Sequence, residues 1–117
     1  MNGLNSFELT GIGRLAEDPK VGAKGEVTIA LIGDDYAGKD HAPIATTVQL
    51  VAFAALGEAI AKHARKGDQL IVNAQMQASN YERDGKTVYG YSYIVRGFRF
   101  GAPGKAKREE FEHQRTG

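Results

Sequence analysis

The spacing of apolar residues changes from a two-residue to a four-residue period only once along this chain, and that change limits the folds it can adopt. Alternating and β-branched patterns are typical of strands, whereas Leu56, Ile60 and Ala64 recur at every fourth position, as on one face of a helix. We therefore predict one helix, over residues 56–65, among five strands. The predicted strands are 7–15, 26–32, 46–53, 69–81 and 87–100.

Turn-forming residues separate these predicted elements. Asp18-Pro19 follows the first strand, and Lys66-Gly67-Asp68 ends the helix with basic residues followed by a glycine. Asp84-Gly85, inside Arg83–Lys86, is a dipeptide typical of a two-residue hairpin turn. Segment 33–43 is polar and holds two glycines and a proline, so we predict a mobile loop there.

The order of three strands, a helix and a long hairpin predicts a particular all-β fold. This order is that of the OB-fold, a five-stranded Greek-key barrel with one short helix between strands 3 and 4. Such barrels bind oligonucleotides or oligosaccharides, so the fold alone does not choose the ligand. We expect the domain to cover residues 1–102, and residues 103–117, which are rich in charge, to form a flexible tail.

The composition excludes several classes of protein. The chain has 117 residues, of which 42% are hydrophobic, and this suits one domain with one core. It has no cysteine, so disulfides and thiolate metal sites are excluded. It shows neither a secretory signal nor an apolar run near the roughly 20 residues of a membrane helix, so we expect a cytoplasmic protein. The formal net charge is +1, so affinity for a polyanion must depend on where the cations lie.

The sequence gives little support to catalysis. His41, His63 and His113 fall in a predicted loop, a helix and the tail, without the spacing of metal ligands. Gly11 and Gly13 lack the rest of a dinucleotide-binding fingerprint, and there is neither a phosphate-binding loop nor a serine nucleophile motif. We therefore predict a protein that is not an enzyme and that uses no metal and no cofactor.

Five strings, in the same order, resemble the bacterial single-stranded DNA-binding protein family. They are GRLAEDPK at 13–20, VTIA at 27–30, VAFAALGE at 51–58, RKGDQLIVNAQM at 65–76 and YERDGK at 81–86, followed by Tyr89. The resemblance covers about residues 7–100. It implies an OB-fold, sequence-independent binding of single-stranded DNA in replication, recombination or repair, and a place near the nucleoid. It also implies a homo-oligomer, either a tetramer or a dimer.

The resemblance also identifies candidate stacking residues. Aromatic rings stack with the bases of single strands at roughly 1–3 kcal/mol each. The family has stacking aromatics near the positions of Tyr36, Phe53 and Tyr81. The alternative for Tyr81 is a tyrosine at the barrel rim, over which we favour base contact, and the alternative for Phe53 is a core residue. Tyr36 follows Asp34 and Asp35, which would repel phosphate.

This chain departs from the family at one stacking position. Many members carry a tryptophan where this sequence has Thr47, and the chain contains no tryptophan at all. Stacking here would therefore depend on tyrosine and phenylalanine. Tyr89, Tyr91 and Tyr93 alternate along the last predicted strand, and we favour a barrel face or a subunit interface over base contact for them.

Basic residues are the second requirement, because a cationic groove follows the phosphates. Lys62 is equally consistent with a solvated face near a helix C-terminus. Arg83 and Lys86 flank the hairpin tip, which could fold over a bound strand. Arg96 shares strand parity with apolar residues, so we expect it to be paired or to face the ligand. The candidate cations are Arg14, Lys62, Arg65, Lys66, Arg83, Lys86, Arg96 and Arg99.

Other functions remain open from the sequence alone. The family usually ends in an acidic tip that recruits replication and repair proteins, and this sequence shows none. A short relative of the primosomal replication protein N, acting as a dimeric adaptor that contacts replication-restart proteins, is one alternative. An OB-fold that binds RNA or oligosaccharide is another.

Overall fold

Residues 5–104 are described by the computed structural model, and alternation along its long strands builds one barrel. Residues 105–117, and therefore most of the predicted tail, lie outside the described residues. The strands are β1 (Phe7–Leu15), β2 (Lys20–Val21), β3 (Val27–Asp35), β4 (Ile44–Ala52), β5 (Gln69–Ala78), β6 (Tyr81–Arg83), β7 (Lys86–Val88) and β8 (Tyr91–Phe100), with one helix, α1 (Ala54–His63).

Five of these strands close into a ring in the order β1–β5–β8–β4–β3–β1. Neighbours are antiparallel except β4 and β8, which are parallel and pair only at Val51 and Ile94. The ring closes where Arg14 and Leu15 of β1 pair with β3. These are the five predicted strands with the helix in its predicted place, so the predicted Greek-key barrel is confirmed.

The core fills the barrel and is sealed at one end by α1. Alternate residues of the five strands point inward, and the helix adds Ile60, with Ala64 just beyond it. A Cβ on Gly57 would lie 2.7 Å from the carbonyl oxygen of Ala52, so only glycine lets the helix approach this closely. We call this the helix end. The opposite end, where β3, β5 and β6–β7 turn back, is the loop end.

The bounds of every predicted element except β1 differ from the prediction. β3 continues to Asp35, which pairs with Ile44, so the first three residues of the predicted loop are strand and the loop covers 36–43. The helix ends at His63 instead of residue 65 because Ala64 is already extended. The short β2 was not predicted, since two residues carry no period.

The predicted long hairpin is divided into two parts. The turn itself is confirmed, because Asp84 and Gly85 both have positive φ, 53° and 75°, as a type I′ turn requires. The strands, however, are interrupted at Ser79, whose N–H donates to the carbonyl of Gly90 at 2.9 Å. Tyr81–Arg83 and Lys86–Val88 therefore form a separate two-stranded unit, the β6–β7 arm.

A β-bulge decides where Arg96 points. Val95 pairs with Ala74 and Gly97 pairs with Asn73, so Arg96 is an extra residue in β8. The bulge reverses the parity of the strand, which turns Val95 inward and leaves Arg96 exposed. Arg96 therefore does not share a face with Phe98, which packs against the core.

The helix exit, the end of β1 and the chain beyond β8 meet at one residue, Asp68. Asp68 is 1% exposed, and its oxygens accept hydrogen bonds from the backbone N–H groups of Arg65 (2.8 Å) and Gly104 (2.9 Å). The carbonyl of Asp68 accepts the N–H of Leu15 at 2.9 Å. Ordered contacts thus reach two residues past the predicted boundary of the domain.

We predict that Asp68→Ala lowers the free energy of unfolding by about 2–5 kcal/mol, because it leaves two backbone donors without a partner away from water. Asp18→Ala is the matched control. The carboxylate of Asp18 accepts the N–H of Lys66, two residues before Asp68, at 2.8 Å. Asp18 is exposed, so water can accept this N–H in the variant, and the free energy of unfolding falls by about 1 kcal/mol or less. Urea unfolding measures both, and equal losses would contradict the role given to Asp68.

Candidate nucleic-acid interface

The parallel strands β4 and β8 part toward the loop end and open a groove. Because they pair only at Val51 and Ile94, the residues that precede these two on each strand leave a space of 420 Å³ between them. We call this space the β4–β8 groove. Its side chains include Thr47, Gln49, Tyr91, Ser92 and Tyr93, none of which carries a formal charge.

Two tyrosines give the β4–β8 groove an aromatic wall. Tyr91 is 64% exposed at the start of β8. Tyr93 is half-buried and packs against the core, which holds its ring in place. Tyr89 lies outside the strand, so the predicted stripe of three tyrosines on one strand is wrong and only two belong to β8. The groove therefore combines an ordered ring and a more exposed ring with hydroxyl and amide groups.

The β6–β7 arm brings three predicted residues to the same end of the barrel. Tyr81 is half exposed and is the first residue of the arm. The prediction that it ends the fourth long strand is wrong, because that strand stops at Ala78. Arg83 and Lys86 pair with each other across the turn, and both are exposed. The arm is joined to Tyr91 by Tyr89 and Gly90, so the arm and the start of the groove are consecutive in the chain, with the two cations at the tip of the arm.

Tyr36 also lies at the loop end, in the segment that joins β3 to β4. It is exposed, and its backbone N–H donates to the carboxylate of Asp35 at 2.8 Å. The neighbouring Asp34 and Asp35 make this side of the loop end acidic. Tyr36 is thus available to a base, but beside charges that repel a phosphate.

Phe53 lies at the other end of β4. It precedes the first turn of α1 with extended backbone and is 51% exposed, so the alternative of a core residue is wrong. Strand alternation places it on the outward face with Thr47, Gln49 and Val51. This face therefore runs from the groove to Phe53, and sequence reasoning missed Gln49, whose parity with Thr47 was the available signal.

Three of the predicted cations lie on β1 and β8 but do not line the β4–β8 groove. Arg14 donates from Nη1 to the carbonyl of Gly67 at 2.9 Å. Arg96 donates from Nε (3.0 Å) and Nη2 (2.7 Å) to Oε1 of Gln75 in β5, which directs it away from β4. Arg99 is exposed opposite Ile71 of β5. The structure does not bring these arginines together with the groove.

Lys62 is exposed in the last turn of α1, at the helix end, whereas the groove opens toward the loop end. Arg65, which follows the helix, donates from Nη1 to the carbonyls of Ala64 (2.8 Å) and Ala61 (3.4 Å). Cations at this position complement the exposed carbonyls of a helix C-terminus, which is the structural alternative for this group.

Solved structures with the same barrel are single-stranded DNA-binding proteins. The chain superimposes on the protein from Plasmodium falciparum, solved in complex with single-stranded DNA, with a TM-score of 0.70 and 17% identity, over 87% of this chain and 100% of that one. The small single-stranded DNA-binding protein of Streptomyces coelicolor gives a TM-score of 0.62 at 15% identity, over 84% and 96%. The chain has the OB-fold of the single-stranded DNA-binding proteins.

A curated relative carries the same name. The single-stranded DNA-binding protein of Fusobacterium nucleatum is 32% identical over 96 residues, which cover 76% of this chain and 62% of the relative. The chain thus spans less than two thirds of the relative's length. No family model matches the chain. The resemblance indicated by the five sequence strings is confirmed, and with it the OB-fold.

Two kinds of feature are absent between residues 5 and 104. There, no three or more histidines and carboxylates come together in a way that could hold a metal ion. None of the helical structure in that part is long and apolar enough to cross a membrane.

Proposed function

We propose that this chain binds single-stranded DNA without regard to sequence, with bases in the β4–β8 groove and phosphates on the β6–β7 arm. The observation that carries the proposal is the adjacency of an uncharged groove with two tyrosine rings and an arm with two exposed cations. The chain performs no chemistry on the strand. The fold and the 32% identical relative named as a single-stranded DNA-binding protein support the proposal.

The groove suits bases better than phosphates. Every base presents a π-face, so stacking on Tyr91 tolerates any sequence. Thr47, Gln49 and Ser92 supply donors and acceptors beside the ring, whereas the groove has no cation to hold a phosphate. A strand that enters the groove with its bases inward would keep its phosphates at the rim, where the arm begins.

The arm would hold the backbone of the strand. Arg83 and Lys86 project from a two-residue turn, and Tyr81 adds a ring at the base of the arm. Phe53 would extend the stacking surface along the outward face of β4, and Tyr36 would add a ring at the loop end. We assign Arg14, Arg96, Arg99 and Lys62 a smaller part, because none of them lines the β4–β8 groove or belongs to the arm.

The relatives favour this function over the adaptor alternative, because each of those compared is named for binding single-stranded DNA. We infer a role in replication, recombination or repair, a place near the nucleoid in the cytoplasm, and association of copies of the chain as a dimer or tetramer. Competition of poly-dT with RNA and with glycans would separate the remaining OB-fold ligands.

Tyr91→Ala is expected to weaken binding of poly-dT by about 5- to 150-fold, the equivalent of one lost stacking contact of roughly 1–3 kcal/mol. Tyr91→Phe keeps the ring and should bind as the unchanged protein does. Tyrosine fluorescence or filter binding at fixed salt provides the measurement. If the alanine and phenylalanine variants bound equally well, Tyr91 would not be a stacking residue.

The double variant Arg83→Ala, Lys86→Ala is expected to reduce the slope of log K against log[salt] by about 1.4, because each phosphate contact on a single strand contributes about 0.7. Arg99→Ala is the control, since it removes an exposed cation that lies outside both the groove lining and the arm, and its slope should change by much less than 0.7. Titrations of poly-dT at several salt concentrations give the slopes. An equal change of slope in both variants would mean that a cation contributes to binding wherever it lies on the surface, and not through a site on the arm. No binding even at low salt would overturn the proposed function.

A further inference from the structure

The β6–β7 arm and the strands β5 and β8 form one hairpin, whose register does not change where the arm begins. The last pair of the barrel is Ala78 with Tyr91, and the first pair of the arm is Tyr81 with Val88. Two residues lie between these pairs on each strand, so neither strand holds an inserted residue. A bulge therefore does not explain why the arm is separate, and an unbroken ladder would keep the same partners.

Residues 79–80 and 89–90 form this interruption, which leaves one backbone N–H with a side-chain acceptor. The N–H of Ser79 donates to the carbonyl of Gly90 at 2.9 Å, as in a regular antiparallel pair. In such a pair the N–H of Gly90 would donate back to the carbonyl of Ser79. It donates instead to Oδ1 of Asn80, at 3.4 Å. Asn80 thus accepts the donor that would continue the ladder into the arm.

The observed arrangement and an unbroken ladder use the same number of hydrogen bonds. Along antiparallel strands, pairs that exchange two hydrogen bonds alternate with pairs that exchange none. Because Ser79 and Gly90 form a pair of the first kind, the next pair, Asn80 with Tyr89, would exchange none. Closing the ladder would therefore only move the N–H of Gly90 from one acceptor to the other. The present contact of 3.4 Å is long for a hydrogen bond, so it holds this N–H weakly.

Packing does not fix the direction of the arm. No residue from 79 to 90, all of which the structure describes, belongs to the hydrophobic core or packs against it. Tyr89 is 75% exposed, and Asn80 is exposed as well. The direction in which the arm leaves the barrel is therefore set by the backbone contacts at the interruption.

We infer that Asn80 is a positioning residue, which sets the direction of the β6–β7 arm by holding the N–H of Gly90. With this N–H on Asn80, the arm is a sheet of its own. With the N–H on the carbonyl of Ser79, the arm becomes a continuation of β5 and β8. The acceptor thus decides where Arg83 and Lys86 lie relative to the groove, and this consequence rests on the proposed function.

Nuclear magnetic resonance of the full chain without DNA tests Asn80 independently of the proposed function. Asn80→Val removes the acceptor and introduces a residue that favours strands, so the ladder should close. The Cα atoms of residue 80 and Tyr89 would then approach to about 4.5 Å, the spacing of a pair without hydrogen bonds. A nuclear Overhauser effect between their Hα protons should therefore appear in this variant, and it should be absent from the unchanged protein.

Two further variants control this measurement. Asn80→Asp keeps an acceptor oxygen at the same place, so it should lack the nuclear Overhauser effect as the unchanged protein does. Ser79→Ala removes a neighbouring exposed hydroxyl and keeps both backbone hydrogen bonds, so it should lack the effect as well. If Asn80→Val lacks the effect or its arm loses its own pairing, or if the unchanged protein already shows the effect, the role of Asn80 is overturned.

Titrations of poly-dT at several salt concentrations test what the direction of the arm does. Asn80→Val removes no charge, yet it should reduce the slope of log K against log[salt] by about 1.4, as the loss of both arm cations does. Added to the double variant Arg83→Ala, Lys86→Ala, it should cause no further reduction. Ser79→Ala should keep the slope of the unchanged protein.

The two measurements separate failure of this inference from failure of the proposed function. If the ladder closes in Asn80→Val but only the Arg83→Ala, Lys86→Ala variant lowers the slope, the direction of the arm does not govern phosphate contact, and that part of the inference is overturned. If neither variant lowers the slope, the proposed role of the arm cations fails. The nuclear Overhauser effect still decides, in that case, whether Asn80 sets the direction of the arm.

Discussion

The carboxylate of Asp68 is the contact on which the helix end of the barrel depends. It holds the exit of α1 and the chain that follows β8, while its own carbonyl holds the end of β1. A carboxylate is suited to this task because two oxygens can accept several backbone donors at once. Gly104 must be glycine here, since a Cβ would come within 2.8 Å of the carbonyl carbon of Gly67.

The end of the barrel away from Asp68 is less tightly closed. The ring has two sparse seams: β1 and β3 pair at two positions, and β4 and β8 at one. Each seam is made where Arg14–Leu15 or Val51 approach the helix end, and each opens toward the loop end. One opening is the β4–β8 groove, and the other is a pocket between β1 and β3.

Local signals were sufficient for much of the fold and insufficient for the site. Alternation predicted β1 at its observed bounds, and Asp84-Gly85 predicted the turn, because both depend on residues near in sequence. The bulge at Arg96 could not be predicted, since it arises from how β8 pairs with β5. The position of Arg14 and Arg99 outside the groove could not be predicted either, because it depends on how the strands close into the ring. That Phe53 is exposed depends on where the helix begins.

The two tyrosines of the groove and the two cations of the arm lie on different elements. This arrangement suits a chain that has almost no net charge. With a formal net charge of +1, affinity cannot come from a general attraction between the protein and a polyanion. Stacking in an uncharged groove is insensitive to salt, whereas contacts from the arm are not. Because the two devices occupy different elements, the total affinity and its salt dependence can change independently. A strand held mainly by its bases would stay bound as salt rises, and one held mainly by the arm would be released.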